Sequence, residues 1–449
     1  MTLAVVSASS AEQAERLQRL ETLLPRFRER RRMYDDAAEF PAANFAELRE
    51  AGLLRGGIPV SFGGLGFWWD RFVDYYQLYE MMAAACSSTG QLYQIAVHGA
   101  GLVAWHATPE QRRKYLPEFA DKGLLIASVG SEADPRARSA ERYQAELTET
   151  PQGWTLTCHK HFASLGPGAD YLLIWTSVPG AGSFMERQVF VLVPRDAPEV
   201  ELINEWDTSG MRATASWGVK ITDYRVPSDA IIGEPGAWAH DPRTFTLAYV
   251  TNHIGTAQGA FDLACEFVKE RRYLAENPVI QVALGEMSSQ LAVTRASLYA
   301  AAALWEEAAA QGYDRAIVDN AELLGLQALH VSKQVALDVT RRVFDVCGAR
   351  AAFRSLPFEA MFRDVRTFTL HHRDYDYMMR VGEAALEGPE VIRQGTYFYD
   401  SAPAARSRDG EDAGERPAQG GDETTAATAM PDGPAAPLVG TAEAELSTV

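Results

Sequence analysis

Histidines near the end of the long C-terminal helical region are the residues whose type and spacing most directly allow acid–base chemistry. His371, His372 and Asp374 stand close together, and an imidazole can take up or release a proton near neutral pH. Adjacent helical residues point about 100° apart, so this group cannot chelate one metal ion together. His159 and His161 share one face of a predicted strand but have no evident carboxylate partner. These residues therefore allow proton chemistry by an imidazole of this cluster and argue against a metal site. We interpret His372 as structural or as a support for a neighbouring site residue.

A hydroxyl between two predicted strands could bind a heteroaromatic ring. Residues 154–157 alternate apolar and polar side chains, and residues 171–175 form a short apolar run. Between them lie the polar segment 160–164 and the turn signal 166–168. Ser164 at the end of the polar segment is either a ring-binding hydroxyl or only a turn residue.

A further histidine, His98, lies on a predicted helix among Ile95, Val97 and Leu102. A histidine in such a setting can be a core residue that a backbone carbonyl satisfies, or it can line a pocket. The residues alone leave both interpretations open.

Composition limits the classes of partner and the cellular compartment. The 449 residues carry a formal net charge of −18 and are 47% hydrophobic, so the chain can bury a large core of two or three domains. The negative charge argues against nucleic acid or an anionic membrane surface as partner. The four cysteines form no CxxC pair, which fits reduced thiols in the cytoplasm. No apolar run reaches membrane-spanning length, and no signal-peptide core is evident.

The elements that must position these residues follow from periodicity. Helices are predicted in the N-terminal part at 11–33, 41–51, 70–85, 91–104 and 108–121, with residues 86–90 as a break of small residues. Further short strands are predicted at 124–131, 188–193, 199–203, 216–221 and 229–233. The helical period returns from 245 to 388, with breaks at 277–278 and 311–312.

The change of period predicts three domains and a tail. We predict an N-terminal α-helical domain at 1–122, a middle β-barrel at 123–238 and a C-terminal four-helix bundle at 239–400. Residues 401–449 are rich in Ala, Gly, Pro and acidic residues, and we predict that this acidic tail is disordered because it cannot bury enough apolar surface.

Several motifs resemble the acyl-CoA dehydrogenase superfamily. These are G-W-x-L-x-x-x-K-x-x-x-S at 153–164, the loop LLRGGIPVSFGGLG at 53–66 and W-x-x-x-G-M-R-x-T at 206–214. Arg271 and Arg272, followed by Gln281, match a further element of that superfamily. The resemblance spans most of residues 10–395 and implies the three-domain fold described above, assembled as a homotetramer.

The same resemblance implies a flavin site. It places Ser164 near N5 of the ring, Ser131 at the pyrimidine edge, and Trp206 stacked on the ring or plugging the barrel. It also places Arg271 and Arg272 on the flavin phosphate, often that of a neighbouring subunit, and the alternative is that these arginines only solvate a helix. The loop 133–143 is richer in charge and poorer in glycine than the superfamily pattern, and it is either a lid or a solvated connector.

The C-terminal motif distinguishes two groups of this superfamily. The Tyr-Glu-Gly-Thr segment that carries the base of most acyl-CoA dehydrogenases is absent, and R-x-x-R-T-x-T-L-H at 363–371 resembles the two-component, dibenzothiophene monooxygenase-like flavoenzymes (group D). That resemblance implies reduced FMN or FADH2 from a separate flavin reductase, and O2 that reacts to a C4a-(hydro)peroxyflavin. His371 would handle the proton, with His98 and Ser164 as hydrogen-bonding partners.

The implied reaction is oxygenation, by hydroxylation or by N- or S-oxidation, of an apolar, aromatic small molecule. Two alternatives stay open from the sequence. One is an acyl-CoA dehydrogenase that desaturates an acyl thioester, and the other is a non-catalytic homologue that acts as a scaffold.

Overall fold

The N-terminal part is helical, as its 3.6-residue periodicity predicts. The computed structural model describes residues 7–132, 145–371 and 374–392 of the chain. The N-terminal helices are α1 (Ala11–Ala37), α2 (Ala42–Glu50), α3 (Phe72–Ala85), α4 (Ser87–His106) and α5 (Pro109–Lys122). Thr108 caps α5 in a capping box with Gln111, because its hydroxyl satisfies an amide that the first helical turn leaves free.

Helix α4 packs tightly against its neighbours through glycines. The sequence predicted a helix from residue 91 after a small-residue break, and that start was wrong because α4 begins at Ser87, directly after α3. A Cβ at Gly90 would lie 2.9 Å from the backbone of Ala83, and one at Gly99 would lie 2.1 Å from the carbonyl oxygen of Ile126. The small residues therefore permit close contact of α4 with α3 and with the first strand, and they do not interrupt the helix.

The described residues of the middle part form eight strands in two sheets of four. The strands are β1 (Ile126–Val129), β2 (Leu147–Thr150), β3 (Gly153–Ala163), β4 (Tyr171–Ser177), β5 (Gln188–Pro194), β6 (Val200–Ile203), β7 (Trp217–Val226) and β8 (Ile231–Ile232), with a short helix, α6 (Phe184–Arg187), before β5. The sheet orders are β1-β4-β5-β8 and β2-β3-β7-β6. Only β1 and β4 pair in parallel, and the other pairs are antiparallel.

Strand β3 is longer than predicted. Residues 160–163, which the sequence indicated as part of a polar connection, continue the strand and pair with β7. The register shifts between Lys160 and Ala163, so a bulge bends the strand just before Ser164. The single-residue alternation of polar and apolar side chains is lost at the bulge, which explains why the pattern did not reveal the strand.

The C-terminal part returns to helices. They are α7 (Thr246–Lys269), α8 (Arg272–Ala275), α9 (Pro278–Ala310), α10 (Arg315–Cys347), α11 (Phe358–Phe368) and α12 (Asp374–Glu387). The predicted breaks at 277–278 and 311–312 are confirmed, and the Asn277 side chain caps α9 by accepting the Val279 amide at 2.9 Å.

Helical ends around a strand-rich middle confirm the predicted fold class. In the described part of the chain, none of the helices is long and apolar enough to cross a membrane. The exact domain boundaries stay a prediction. The chain divides by its contacts into residues 1–401 and 402–449, and the predicted disordered tail lies outside the described residues.

We predict that Gly99→Ala destabilises the join between α4 and β1. The added methyl group would overlap the Ile126 carbonyl, and overpacking of this kind costs about 1–3 kcal/mol, or several degrees in apparent Tm. Gly285→Ala is the matched control, since Gly285 is an exposed residue inside α9 with nothing near the new Cβ. It should be neutral or slightly stabilising. Equal Tm changes for the two variants in thermal unfolding would contradict the predicted contact.

Candidate active site

Ser164 is the first member of a chain of three hydroxyl groups. It is half-buried directly after β3, and its Oγ lies 2.7 Å from Oγ of Ser216, just before β7. Ser216 Oγ lies 2.8 Å from Oγ1 of Thr214, which donates to the Met211 carbonyl oxygen at 2.7 Å. Ser164 is therefore held by hydrogen bonds from behind, and its role toward a ring stays a prediction.

Two aromatic rings lie beside Ser164. Phe162 is 59% exposed and has φ 54°, a left-handed conformation that is unfavourable for a bulky side chain. The Ser164 amide donates to the Phe162 carbonyl at 2.8 Å. The Phe162 ring meets Trp206 edge to face at 6.0 Å, and the indole Nε1 of Trp206 donates to the Met211 carbonyl at 3.2 Å. Strained backbone tends to occur at functional sites, and here it turns an aromatic ring outward beside the hydroxyl.

A buried ion pair holds the predicted flavin-edge residue against β3. The Nζ of Lys160, which is fully buried, lies 2.6 Å from Glu132 Oε1 and donates to the Gly130 carbonyl at 3.1 Å. Burial lowers the pKa of Lys160, and the neighbouring Glu132 charge acts in the opposite direction. Ser131 lies between Gly130 and Glu132 and is exposed. Its carbonyl oxygen accepts a hydrogen bond from the His161 amide at 2.9 Å. Residues 133–144, which contain the predicted lid, lie outside the described residues.

His98 is enclosed by aromatic and polar side chains. Its ring centroid lies 4.4 Å from that of Trp68 and 4.6 Å from that of Phe245. Nε2 is 3.4 Å from the Tyr75 hydroxyl, and Nδ1 contacts the Gln94 amide group. Burial holds the pKa of His98 well below its ordinary value, and the positive charge of Arg243 lowers that pKa further. His98 is thus neutral at physiological pH, and its partners are side chains and not the backbone carbonyl that a plain core histidine would use.

His371 follows α11 and packs on two aromatic rings. Its Nδ1 lies 3.1 Å from the Phe368 carbonyl oxygen, which can only accept, so Nδ1 carries the proton and Nε2 is left as an acceptor. The His371 ring lies 4.7 Å from Phe368 and 5.6 Å from Tyr249. The side chain keeps more than a third of its surface exposed. Partial desolvation by the surrounding protein lowers its pKa, and the charge of Lys333 adds to this. His372, interpreted from the sequence as structural, lies outside the described residues.

The two histidines lie along the same side of α7. His98 contacts Phe245, which immediately precedes α7, and His371 contacts Tyr249, one turn further along. Four residues of helix correspond to about 6 Å along its axis. His98 and His371 thus line one side of α7 although 273 positions separate them in the chain.

Met211 links the hydroxyl chain to the helices. Its amide donates to Asp364 Oδ1 of α11 at 2.6 Å, and its sulfur lies 3.3 Å from the hydroxyl of Ser87, at the start of α4. Ser87 in turn donates to Asn252 Oδ1 of α7 at 3.0 Å. These contacts connect the hydroxyls of Ser164, Ser216 and Thr214 to helix α7, along which His98 and His371 lie.

Sequence reasoning missed the charged cluster that supports His98. Arg243 lies between the rings of Trp68 and Trp105, at 4.1 and 4.0 Å from their centroids. It forms a bidentate pair with Asp241, at 2.9 and 2.7 Å, and His106 contacts the same carboxylate at 3.1 Å. Burial alone would raise the pKa of Asp241, but Arg243 and His106 hold it well below its ordinary range. The one sequence signal for this pair is the Asp-x-Arg pattern at 241–243, which is too common in proteins to indicate a site.

The two predicted phosphate-binding arginines lie away from Ser164 in contacts of their own. Arg271 donates to the Phe267 carbonyl at 2.6 Å and stacks on the Phe267 ring, while Arg272 is exposed and pairs with Glu276. Neither has a described contact with Ser131, Ser164 or Trp206. Their role toward a flavin phosphate of a neighbouring subunit stays a prediction.

Other described features do not coincide with the predicted site. A cavity of about 200 Å³ lies between α1, the start of α4 and α11, lined among others by Arg31, Ser87 and Asp364, and it contains none of the predicted site residues. His161, for which no carboxylate partner was evident, contacts Glu205. Across the described ranges, no group of three or more side chains is arranged to hold a metal ion.

Comparison with known proteins identifies the family. The model of the acyl-CoA dehydrogenase N-terminal domain matches residues 13–123, and that of the C-terminal domain matches residues 247–373, together more than half of the chain. The chain belongs to the acyl-CoA dehydrogenase superfamily. The resemblance that the motifs predicted is thereby confirmed.

Within this superfamily, the relatives include flavin-dependent monooxygenases. A dibenzothiophene monooxygenase of Mycolicibacterium goodii is 26% identical over 72% of this chain and 82% of its own length. A probable FMNH2-dependent monooxygenase, SfnC of Pseudomonas putida, is 27% identical over 78% of this chain and 90% of its own. Among solved structures, FMN-bound TdsC from Paenibacillus sp. A11-2 matches this chain with a TM-score of 0.75 and 25% sequence identity. The match covers 83% of this chain and 97% of TdsC. The prediction of a dibenzothiophene monooxygenase-like member of the superfamily is confirmed.

The residues around Ser164 fit a flavin of the kind that this superfamily binds. An isoalloxazine needs a flat apolar surface and hydrogen-bonding groups at its edge. Phe162 and Trp206 present exposed and half-exposed aromatic surface, and Ser164 and Ser131 present hydroxyls beside it.

We predict that His98 makes the chain less stable in acid. The unfolded chain takes up a proton at His98 as pH falls below about 6.5, while the folded chain does not, because its His98 has a lowered pKa. Stability is therefore lost toward acid, at up to about 1.4 kcal/mol per pH unit. The apparent Tm of His98→Gln should fall less between about pH 7 and about pH 5 than that of the wild type.

His240→Gln is the control for this prediction, because His240 is an exposed residue. Its Tm should fall with acid as the wild type's does. Parallel curves for the wild type and His98→Gln would show that His98 is not buried in its neutral form.

Proposed function

We propose that this protein is a monooxygenase that uses reduced FMN and O2 to oxygenate an apolar, aromatic small molecule. The observation that carries the proposal is the imidazole of His371. It stands where the superfamily resemblance leads one to expect the Tyr-Glu-Gly-Thr base of a dehydrogenase. A carboxylate there would remove a substrate proton, whereas His371 offers the lone pair of Nε2 as a proton acceptor.

Reduced flavin supplies the two electrons with which one oxygen atom enters the substrate and the other leaves as water. The residues of this chain bind and orient the reactants around it. We assign the stacking surface to Phe162 and Trp206, and hydrogen bonds at the ring edge to Ser164 and Ser131. His371 would receive and return the proton of the reacting oxygen, because its Nδ1–H is already engaged by the Phe368 carbonyl.

His98 serves the same reaction as a neutral hydrogen-bonding group. Its low pKa means that it does not release a proton as an acid at physiological pH. Enclosed by Trp68, Phe245 and Tyr75, with its ring nitrogens on Tyr75 and Gln94, it holds these aromatic side chains in place as a wall that excludes water from the reacting centre.

The aromatic walls support an aromatic substrate. Phe245 and Tyr249 follow the side of α7 between the two histidines, and Trp68 stacks on Phe245. Flat rings pack well against such surfaces. TdsC has been crystallised with FMN and indole together, and dibenzothiophene gives its name to other relatives. Indole and dibenzothiophene are therefore the first substrates to test.

The proposal also includes partners that the chain must meet. We propose that reduced FMN comes from a separate flavin reductase in a transient encounter, which the likeness to an FMNH2-dependent monooxygenase supports. We propose a homotetramer in which Arg271 and Arg272 of one subunit bind the flavin phosphate of another. The four cysteines are free thiols, which supports the cytoplasm as the compartment.

We predict that His371→Asn uncouples the enzyme. With a flavin reductase, NADH, FMN and O2, the wild type should convert indole or dibenzothiophene to an oxygenated product. The variant should form product about 100-fold more slowly, as expected for loss of a general acid–base group, while NADH is still consumed and H2O2 accumulates. His240→Asn, at an exposed histidine after β8, should keep the wild-type ratio of product to NADH.

Two results would contradict the proposal. One is wild-type H2O2 production without oxygenated product from either substrate. The other is anaerobic bleaching of tightly bound oxidised flavin by an acyl-CoA, which would identify a dehydrogenase instead.

A further inference from the structure

The three hydroxyls of Ser164, Ser216 and Thr214 have a single arrangement of protons that satisfies every contact. Each hydroxyl has one proton to donate. Thr214 donates its proton to the Met211 carbonyl, because a carbonyl oxygen 2.7 Å away can only accept. Oγ1 of Thr214 must then accept from Ser216, 2.8 Å away. Ser216 has thereby used its proton, so the 2.7 Å contact with Ser164 needs the proton of Ser164.

Ser164 therefore donates inward and presents only lone pairs to the site. The reverse direction would leave two oxygens in contact with no proton between them, which is unfavourable in a buried place. Thr214 is 2% exposed and Ser216 is 5% exposed, so water has little access to relieve such a contact. The Met211 carbonyl at the end of this row of hydroxyls thus fixes the direction in which each of them donates its proton.

The backbone near Ser164 does not supply a donor in its place. The amide of Ser164 donates to the Phe162 carbonyl at 2.8 Å, and the amide of Leu165 lies 3.4 Å from the Thr214 carbonyl. Both amides are engaged within the protein. The edge of the site beside Ser164 is thus an acceptor.

An acceptor at this place discriminates between the two redox states of a flavin. N5 of a reduced flavin bears a proton and donates, whereas N5 of an oxidised flavin is a lone-pair acceptor. We propose that Ser216 and Thr214 make the site selective for reduced over oxidised flavin by fixing the direction in which Ser164 donates its proton. This proposal rests on the proposed function, which places the flavin ring beside Ser164.

Such selectivity suits an enzyme whose flavin is delivered by another protein. Reduced flavin binds with its N5–H satisfied, and the oxidised product meets an oxygen lone pair and dissociates. Ser216 and Thr214 act through Ser164, so they are positioning residues. Substitution of Ser216 or Thr214 should therefore change the affinity for each redox state of the flavin and the reduction potential of the bound flavin. A residue with a merely structural role would not shift that potential in a defined direction.

The test is the ratio of the two FMN dissociation constants, measured anaerobically for oxidised and for dithionite-reduced FMN by fluorescence or calorimetry. In Ser216→Ala the Ser164 hydroxyl loses its internal acceptor and can turn to donate to oxidised N5. Oxidised FMN should then bind more tightly, and the ratio of the oxidised to the reduced constant should fall about ten-fold. For a two-electron couple this lowers the potential of bound FMN by about 30 mV. Ser216→Thr, which keeps the hydroxyl, should restore the wild-type ratio.

Two further variants separate this effect from general damage. Thr214→Val removes the hydroxyl that sets the direction, so the ratio should fall as in Ser216→Ala. Thr340→Val is the matched control, because Thr340 is also a fully buried threonine that donates to a backbone carbonyl, but within α10. It should leave the ratio unchanged.

The outcomes distinguish this inference from the function on which it rests. If FMN binds the wild type but Ser216→Ala leaves the ratio of the two constants unaltered, the fixed donor direction is wrong and the proposed function stands. A fall in the ratio that comes only from weaker binding of reduced FMN would also overturn it. If neither redox state of FMN binds the wild type, both proposals fail together.

Discussion

The hydrogen bond from the Met211 amide to the buried carboxyl of Asp364 joins the parts of the chain on which the site depends. Met211 has a left-handed backbone, with φ 53°, and at this residue the loop before β7 meets helix α11 at 2.6 Å. The carbonyl oxygen of the same residue accepts hydrogen bonds from the Trp206 indole and the Thr214 hydroxyl. The backbone of Met211 thus binds a C-terminal helix through its amide and the row of hydroxyls through its carbonyl oxygen. Burial raises the pKa of Asp364 to about 7, while the Met211 amide acts to lower it, so this carboxyl is held in place by hydrogen bonding more than by charge.

The electrostatic settings of the two histidines differ although the same helix side carries them. His98 is kept neutral by enclosure and by the nearby guanidinium of Arg243, which is itself fixed between two indoles. His371 is exposed over part of its surface, with its protonated nitrogen on the Phe368 carbonyl. One imidazole is thereby suited to steady hydrogen bonding, and the other to exchanging a proton. That division agrees with a reaction in which a proton must be delivered at one place and water kept out of another.

Much of the fold could be predicted from local sequence, because helix and strand periods, Pro and Gly mark their own positions. The long helices and the break at Asn277 follow from such signals, and the fold class was confirmed. The bulge at residues 160–163 was not foreseen, since a register shift depends on the partner strand β7. Nor did the small residues at 86–90 reveal that helix α4 already begins there, because a close helix contact and a chain break use the same residues.

The candidate site shows the same limit more sharply. Ser164, His98 and His371 follow from residue type and family motif, and the structure gives each of them a defined environment. The supporting partners Ser216, Trp68 and Arg243 were not foreseen, because their importance comes from contacts between distant segments. Thr214 belongs to the motif at 206–214, but its hydrogen bond to Ser216 was not foreseen either. Arg243 lies 175 positions from Trp68 in the chain, and no local pattern encodes such a pair. The domain boundaries and the role of Arg271 stay predictions.

The outward ring of Phe162 has a consequence for the protein before it meets any ligand. A left-handed aromatic residue costs on the order of 1–3 kcal/mol of conformational energy, and its exposed ring leaves apolar surface in contact with water. Folding therefore retains an unfavourable feature that an apolar surface lying over the ring would partly offset. A molecule that binds there should accordingly raise the melting temperature of the protein as well as occupy the site.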